Sequence, residues 1–180
     1  MIAPPPTKSS LVTLCLRRIA TALAGLSLLT NAALAGGYER VRLPSYDGDL
    51  DAVLYRPKGP GPFPAVVALH GCGGLFRESG KLSLRHSDWG ERLAGEGFIV
   101  LMPDSYGSRR LGSQCGVKEV TVRASRERVA DAAAARYWLQ SRGDVLADQV
   151  ALLGWSGGGS SVLAAIRTDR RPADERPDFT

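Results

Sequence analysis

Ser156 lies in the segment Gly154-Trp155-Ser156-Gly157-Gly158, which fits the pattern Gly-x-Ser-x-Gly. The four residues at 150–153 are apolar without polar alternation, which is typical of a strand buried on both faces. Small and apolar residues continue through 160–166 and favour a helix. A strand, a tight turn and a helix around this pattern predict a nucleophile elbow, in which the serine hydroxyl is presented for attack on an acyl carbon.

The glycines have a physical reason in this interpretation. A nucleophile on a strained turn needs neighbours without bulk two positions away on either side, which are Gly154 and Gly158. The N-terminal N–H groups of the following helix would face developing negative charge. The alternatives are a glycine-rich turn that merely contains a serine, or a phosphate cradle. For the cradle, the sequence has neither Gly-x-Gly-x-x-Gly nor Gly-Lys-Ser/Thr.

Composition excludes several other classes of protein. The 180 residues are enough for one domain, and 44% hydrophobic content is ordinary for a globular chain. Although the net charge is +5, three basic residues lie in the first 35, which hold no acidic residue, and the remainder has 20 basic against 18 acidic residues. A balance of +2 gives no case for nucleic acid. With only two histidines and three scattered cysteines, no zinc-ligand spacing occurs, and we expect neither a metal nor a cofactor.

Residues 1–35 are typical of a secretory signal peptide. Lys8, Arg17 and Arg18 provide positive charge, and an apolar run at 19–29 follows, too short to span a bilayer. Ala33-Leu34-Ala35 is a small-x-small cleavage site, so we expect a mature chain starting near Gly36. The protein would then be exported, periplasmic or secreted, with no stable membrane insertion after cleavage. The alternative is an uncleaved membrane anchor.

The rest of the chain alternates predicted strands and helices after a hairpin. The hairpin pairs 38–44 with 50–55. The further strands are 65–69, 98–102 and 150–153. The helices are 89–95, 121–140 and 160–166. In the first helix Trp89, Leu93 and Ala94 should face inward, and in the second Val122, Val129, Ala133 and Tyr137. This order predicts an α/β fold, with a mainly parallel sheet, helices on both faces and an N-terminal antiparallel hairpin.

Three stretches in this order resemble the dienelactone hydrolase family of the α/β-hydrolase superfamily. They are 64–74 with His-Gly-Cys-Gly-Gly, 97–106 with Pro-Asp, and 150–159 with Gly-Trp-Ser-Gly-Gly. The resemblance implies hydrolysis of a small-molecule ester, lactone or related acyl bond. Ser156 matches the nucleophile, and the backbone N–H groups of Gly157 and Cys72 would form the oxyanion hole. His70 would support that loop rather than act as the base.

The sequence departs from the family pattern in two respects. The namesake enzymes carry cysteine where Ser156 stands, and the family's acid and histidine come after the nucleophile, whereas none of the 24 residues after Ser156 is histidine. Residues 36–180 are therefore expected to be an incomplete domain without its C-terminal strands, inactive alone, with the base supplied from elsewhere. The rival interpretation is a non-catalytic binding protein of the same fold, or an inactive truncated product.

Five residues carry open alternatives. Cys72 and Cys115 could form a disulfide in an exported protein, or remain two free thiols. Asp104 follows a buried strand and is expected to order its loop rather than to act as the catalytic acid. Arg109 and Arg110 could bind a substrate carboxylate or simply be solvated.

Overall fold

The computed structural model describes residues 37–167 and 176–180, and the predicted signal peptide lies outside them. The described part contains five strands and three helices: β1 (Glu39–Ser45), β2 (Gly48–Tyr55), β3 (Phe63–Leu69), α1 (Leu84–Gly95), β4 (Ile99–Pro103), α2 (Glu127–Gln140), β5 (Val145–Gly154) and α3 (Gly157–Ala165). Within these residues, no helix has the length and apolar character needed to cross a membrane.

The strands form one mixed sheet in the order β1-β2-β4-β3-β5. The hairpin β1–β2 is antiparallel, and β2 pairs antiparallel with β4, whereas β3 is parallel to both β4 and β5. Helical connections between the parallel strands are what this topology requires. The predicted hairpin, the parallel strands and the α/β class are thereby confirmed.

Both faces of the sheet are buried, because successive side chains of a strand point to opposite faces. In β4, Ile99 and Leu101 belong to one core and Val100 and Met102 to the other. The first core includes apolar residues of α2 and α3, and the second includes residues of α1. The helices therefore cover opposite faces of the sheet, as expected.

The helix predicted at 160–166 begins at Gly157 and β3 begins at Phe63, and three other elements begin five or six residues from their predicted starts. α1 begins at Leu84 rather than at residue 89, and α2 begins at Glu127 rather than at 121. Before α2, the Glu127 carboxylate accepts the Arg123 backbone N–H at 2.8 Å and also binds the Arg123 guanidinium, which stabilises a turn there. β5 begins at Val145, because Val145 pairs with Phe63 across an irregularity in the β3–β5 register.

The predicted inner faces of two helices also need correction. In α1, Leu93 and Ala94 pack against the core as predicted, but Trp89 is 40% exposed, and the neighbouring Gly90 packs against the Tyr55 ring instead. The buried residues of α2 are Arg128, Asp131, Ala132, Ala135, Arg136 and Leu139. Of the four residues expected to face inward, Val122 is buried but precedes the helix, and Val129, Ala133 and Tyr137 are only partly buried. Asp131 can occupy this face because it is paired inside the fold: Arg109 makes two hydrogen bonds to its carboxylate, at 2.8 and 3.0 Å.

Candidate active site

Ser156 occupies a sharp turn between the end of β5 and the first residue of α3. Its φ of 52° and ψ of −120° lie in a region that non-glycine residues rarely adopt, and its side chain is exposed. Among the described residues, the one other non-glycine residue with positive φ is Arg110. Strain of this kind persists only where the surroundings enforce it, and it commonly marks functional sites.

The two flanking glycines enforce the turn by close backbone packing. A Cβ on Gly154 would lie 2.4 Å from the carbonyl carbon and oxygen of Gly158. A Cβ on Gly158 would lie 2.2 Å from the carbonyl oxygen of Leu69, at the end of β3. The Trp155 N–H donates to the same Leu69 oxygen at 3.1 Å. The two glycines of Gly-x-Ser-x-Gly are thus required because any side chain there would prevent the turn from packing against the end of β3.

The loop after β3 brings a second backbone amide to the serine. A Cβ on Gly71 would lie 3.4 Å from Ser156 Cβ and 4.0 Å from Ser156 Oγ. The Cys72 nitrogen lies 3.7 Å from the point where a Cβ of Gly157 would stand. Within the described ranges, neither the Cys72 nor the Gly157 N–H donates to a protein acceptor. Two amides available beside an exposed serine hydroxyl are what an oxyanion hole requires.

Cys72 is held from the opposite side by the loop that follows β4. Cys72 and Cys115 form a disulfide with their Cα atoms 4.9 Å apart. The Gln114 N–H also donates to the Cys72 carbonyl oxygen at 2.8 Å. The backbone of Cys72 is therefore restrained by a covalent link and by a hydrogen bond from a segment 42 residues further along the chain.

Neither histidine serves Ser156 as a base in this structure. His70 is buried, its Nδ1–H donates to the Gly71 carbonyl at 2.8 Å, and its Nε2 lies 3.8 Å from an Asp104 carboxylate oxygen. His86 Nδ1 lies 2.5 Å from Ser83 Oγ, and the His86 ring packs edge-on against Trp155. In residues 37–167 and 176–180, Ser156 Oγ makes no hydrogen bond with a histidine or a carboxylate.

A family model describes most of this chain. Residues 50–174 match the model of the dienelactone hydrolase family. The chain belongs to the dienelactone hydrolase family. Membership agrees with the elbow geometry and with the resemblance seen in the sequence, and it makes the protein one of a family of hydrolases with the α/β-hydrolase fold.

The curated proteins to which this member of the dienelactone hydrolase family is similar include mitochondrial acyl-coenzyme A thioesterase 2. The mouse (Mus musculus) enzyme is 34% identical over 131 residues, which are 73% of this chain and 24% of that protein. The rat (Rattus norvegicus) enzyme is 43% identical over 60 residues, 33% of this chain and 11% of that protein. The chain therefore spans about a quarter or less of the length of these curated relatives.

Solved structures of similar fold include two hydrolases. One is a dienelactone hydrolase-like promiscuous phosphotriesterase from metagenomic libraries, with a TM-score of 0.58 and 23% identity over 75% of this chain and 56% of that chain. The other is the esterase Est22, with a TM-score of 0.54 and 23% identity over 89% of this chain and 46% of that chain. At this identity the likeness shows the fold alone, and the chain spans about half of each.

Asp104 and Arg109 have structural partners in this family member. An Asp104 carboxylate oxygen accepts the Gly107 N–H at 3.0 Å and so orders the turn that follows β4, while burial raises the pKa of Asp104. Arg109 binds the carboxylates of Asp47 and Asp131, so it is neither solvated nor available to a substrate carboxylate. Arg110 is exposed.

A cleft of about 360 Å³ adjoins the loop after β3 that carries Cys72. Glycine backbone and the apolar side chains of Leu75, Phe76 and Leu111 form much of its lining, and Arg77, Glu78 and Asp104 add charged groups. This volume lies within the range of small-molecule pockets. The cleft could not be predicted from the sequence, because its walls come from two separate loops, at 73–78 and 104–113.

The piece 36–180 should contain no free thiol when denatured without reductant, because its two cysteines are Cys72 and Cys115. Thiol titration should find two sulfhydryls only after reduction. In the chain-entropy model, a link across a separation of 43 residues stabilises by about 4 kcal/mol. Urea unfolding of the Cys72→Ser/Cys115→Ser double variant, with Ser113→Ala as the control, checks that cost. Two free thiols in fresh unreduced protein would contradict the prediction.

Acid should destabilise the fold below about pH 6.5, because both histidines are buried in their neutral form. Burial, reinforced by the nearby Arg128 charge, lowers the pKa of His70 to about 3, and burial, with Arg85 adding to it, lowers that of His86 to about 4. Between these values and 6.5 the unfolded chain binds protons that the folded chain does not. The free energy of unfolding therefore falls as pH falls, by roughly 1 kcal/mol per pH unit for each histidine.

The variant His86→Asn isolates one of these contributions. It should flatten the pH dependence of urea unfolding between pH 6.5 and 4, because an asparagine at this position does not titrate. The wild-type protein in the same buffers is the reference. If the two proteins show the same slope, His86 does not carry the predicted share of the acid sensitivity.

Proposed function

We propose that Ser156 is the nucleophile of a hydrolase that cleaves an ester, lactone or related acyl bond. The observation that carries this proposal is the exposed Ser156 hydroxyl on a strained turn, beside the amides of Cys72 and Gly157, which donate to no acceptor among the described residues. Membership of a hydrolase family supports the same chemistry. The rival, a non-catalytic binding protein of this fold, leaves the strain at Ser156 without a purpose.

The reaction follows the covalent route open to such a site. Ser156 Oγ attacks the substrate carbonyl carbon while a base takes the hydroxyl proton, and the carbonyl oxygen becomes an oxyanion held by the two amides. Collapse of the tetrahedral intermediate breaks the bond to the leaving group, which takes up the proton. Water then attacks the acyl-serine and releases the acid, restoring Ser156.

The base in this proposal is a histidine from outside the 180 residues. His70 and His86 are both buried and engaged elsewhere, and both have lowered pKa values. We therefore expect residues 36–180 alone to hydrolyse p-nitrophenyl acetate feebly, at the level that oxyanion binding by itself supports. Rapid turnover by this piece would require one of its own histidines to reach Ser156.

Labelling by a fluorophosphonate tests the nucleophile directly. The full-length protein here means the one that includes the proposed histidine. The reagent should modify it at Ser156, and peptide mass spectrometry should identify the modified residue. The same protein should hydrolyse at least one of three substrates: p-nitrophenyl acetate, a simple lactone and acetyl-coenzyme A. The thioester is included because the curated relatives are named acyl-coenzyme A thioesterases. Modification at a different serine, or no hydrolysis of any member of the panel, would contradict the proposal and favour a binding role.

Export is a separate part of the proposal. It is supported by the charge and hydropathy pattern of residues 1–35 and by the disulfide, which persists in oxidising compartments. N-terminal sequencing of the protein from its native host should find Gly36 or a near neighbour. A protein that still begins at Met1 would contradict cleavage.

A further inference from the structure

Arg128 lies in α2 with its side chain fully buried beneath the elbow. Its Nη2 donates to the carbonyl oxygen of His70, two residues before Cys72. Its Nη1 lies 3.6 Å from the point where a Cβ of Gly157 would stand, and its guanidinium carbon lies 5.2 Å from the Tyr106 ring centroid. The cation therefore contacts the loop that carries one oxyanion donor and approaches the residue that carries the other.

The charge of Arg128 has no counterion of its own in the described part of the chain. Asp131 lies one turn further along α2, but both of its carboxylate oxygens accept hydrogen bonds from Arg109. Nε and Nη1 of Arg128 are buried and make no hydrogen bond within the described residues. Burial lowers the pKa of Arg128, while Tyr106 and Asp131 oppose that shift. Arginine nevertheless stays protonated in proteins, so this is a buried cation held at a cost to stability.

The distances place this cation close to where negative charge forms in acyl transfer. The point 3.6 Å from Arg128 Nη1 is also 3.7 Å from the Cys72 nitrogen, so the two nitrogens are no more than 7.3 Å apart. An oxyanion accepting from Cys72 and Gly157 would stand roughly 3 Å from each amide nitrogen. The oxyanion would therefore lie within about 10 Å of Arg128 Nη1. At that range a buried positive charge acts more strongly on an oxyanion than on a neutral ester.

We propose that Arg128 is a positioning residue of the oxyanion hole, which anchors the His70 carbonyl and so the Cys72 amide, and whose buried charge favours the oxyanion over the neutral substrate. This inference rests on the proposed function of Ser156. It explains why an unpaired cation is kept beneath the elbow. In the resting protein Arg128 has no negative partner among the described residues. The oxyanion that forms during the reaction provides that negative charge.

Two substitutions separate the anchor from the charge. Arg128→Gln keeps an amide donor for the His70 carbonyl but loses the charge, whereas Arg128→Lys keeps the charge. In the full-length protein we expect Arg128→Gln to lower kcat for p-nitrophenyl acetate about 10- to 100-fold with KM unchanged, and Arg128→Lys to stay within about fivefold of wild type. Arg136→Gln is the matched control, because it removes a second buried arginine two turns along the same helix.

An alkylboronic acid gives a readout that a purely structural role would not move. It is neutral in water and becomes a tetrahedral anion on bonding to a serine hydroxyl. Its affinity should therefore weaken in Arg128→Gln by about the same factor as kcat, with active sites counted by fluorophosphonate labelling. If the Gln variant fails to fold, the Lys variant must still bind the boronate nearly as well as wild type, and a loss above about tenfold would overturn the inference.

Failure of this inference is distinguishable from failure of the proposed function. If fluorophosphonate labels Ser156 but Arg128→Gln matches wild type in kcat and in boronate affinity, Arg128 has no role in the oxyanion hole and the hydrolase proposal stands. If the wild-type protein is labelled elsewhere, the proposed function fails, and the inference about Arg128 fails with it.

Discussion

Replacing Ser156 with alanine should lower kcat for simple esters by roughly 10⁴-fold or more in the full-length protein. The substitution removes the atom that forms the acyl intermediate while leaving the Cys72 and Gly157 amides in place. Oxyanion binding should therefore leave a small residual rate above that in water. Steady-state kinetics with p-nitrophenyl acetate, together with loss of fluorophosphonate labelling, measures the effect.

Ser160→Ala is the matched control for this experiment. Ser160 is an exposed serine one turn further along α3, so its loss also removes a hydroxyl from the same helix. We expect wild-type kinetics from Ser160→Ala. Full activity in Ser156→Ala would mean that the elbow is not the active site, whatever the behaviour of the control.

Replacing Gly158 with alanine should destabilise the fold by about 3 kcal/mol or more, since the new methyl group would meet backbone atoms that have nowhere to move. The Cβ would lie 2.2 Å from the Leu69 carbonyl oxygen and 2.8 Å from that of His70. Relief would require separating the elbow from β3, which would also displace the oxyanion loop. Urea unfolding followed by circular dichroism, and ester turnover of any folded protein, measure the two consequences.

Gly159→Ala is the control, because the adjacent glycine has room for a methyl group. Its nearest contact would be the Gly154 carbonyl oxygen at 3.5 Å, an ordinary van der Waals distance. Alanine also favours a helix by up to about 1 kcal/mol over glycine, so Gly159→Ala should be neutral or stabilising. Equal stability of the two variants would show that the close approach at Gly158 is not required.

Much of the fold was predictable because its signals are local. The apolar runs that became β3, β4 and β5 needed only their own residues to be recognised, and so did the hairpin. The elbow was equally visible, since a strand, a tight turn and a helix lie within about 20 consecutive residues. The need for small residues at Gly154 and Gly158 was predictable from the sequence pattern, although only the structure shows which backbone atoms a larger side chain would meet.

The inner faces of the helices were less predictable, because hydropathy assigns charged residues to the solvent. Asp131 is buried in α2 only because Arg109, from a distant loop, binds both its oxygens. Trp89 was expected inside but lies 40% exposed, while the small Gly90 faces Tyr55. Such reversals depend on the partner that each side chain meets, and those partners lie tens of residues away.

By itself, then, the sequence determined the α/β class, the hairpin, the strand–turn–helix around Ser156 and the candidate nucleophile, because each depends on spacing within one short segment. The resemblance to the family implied that the Cys72 and Gly157 amides lie together, and the distances in the structure agree. The tertiary structure alone decided that Cys72 and Cys115 are bridged rather than free, that His86 is engaged away from Ser156, and that Arg128 lies beneath the elbow. Those features join segments 28 or more residues apart, and their distances exist only once the strands have paired and the helices have packed.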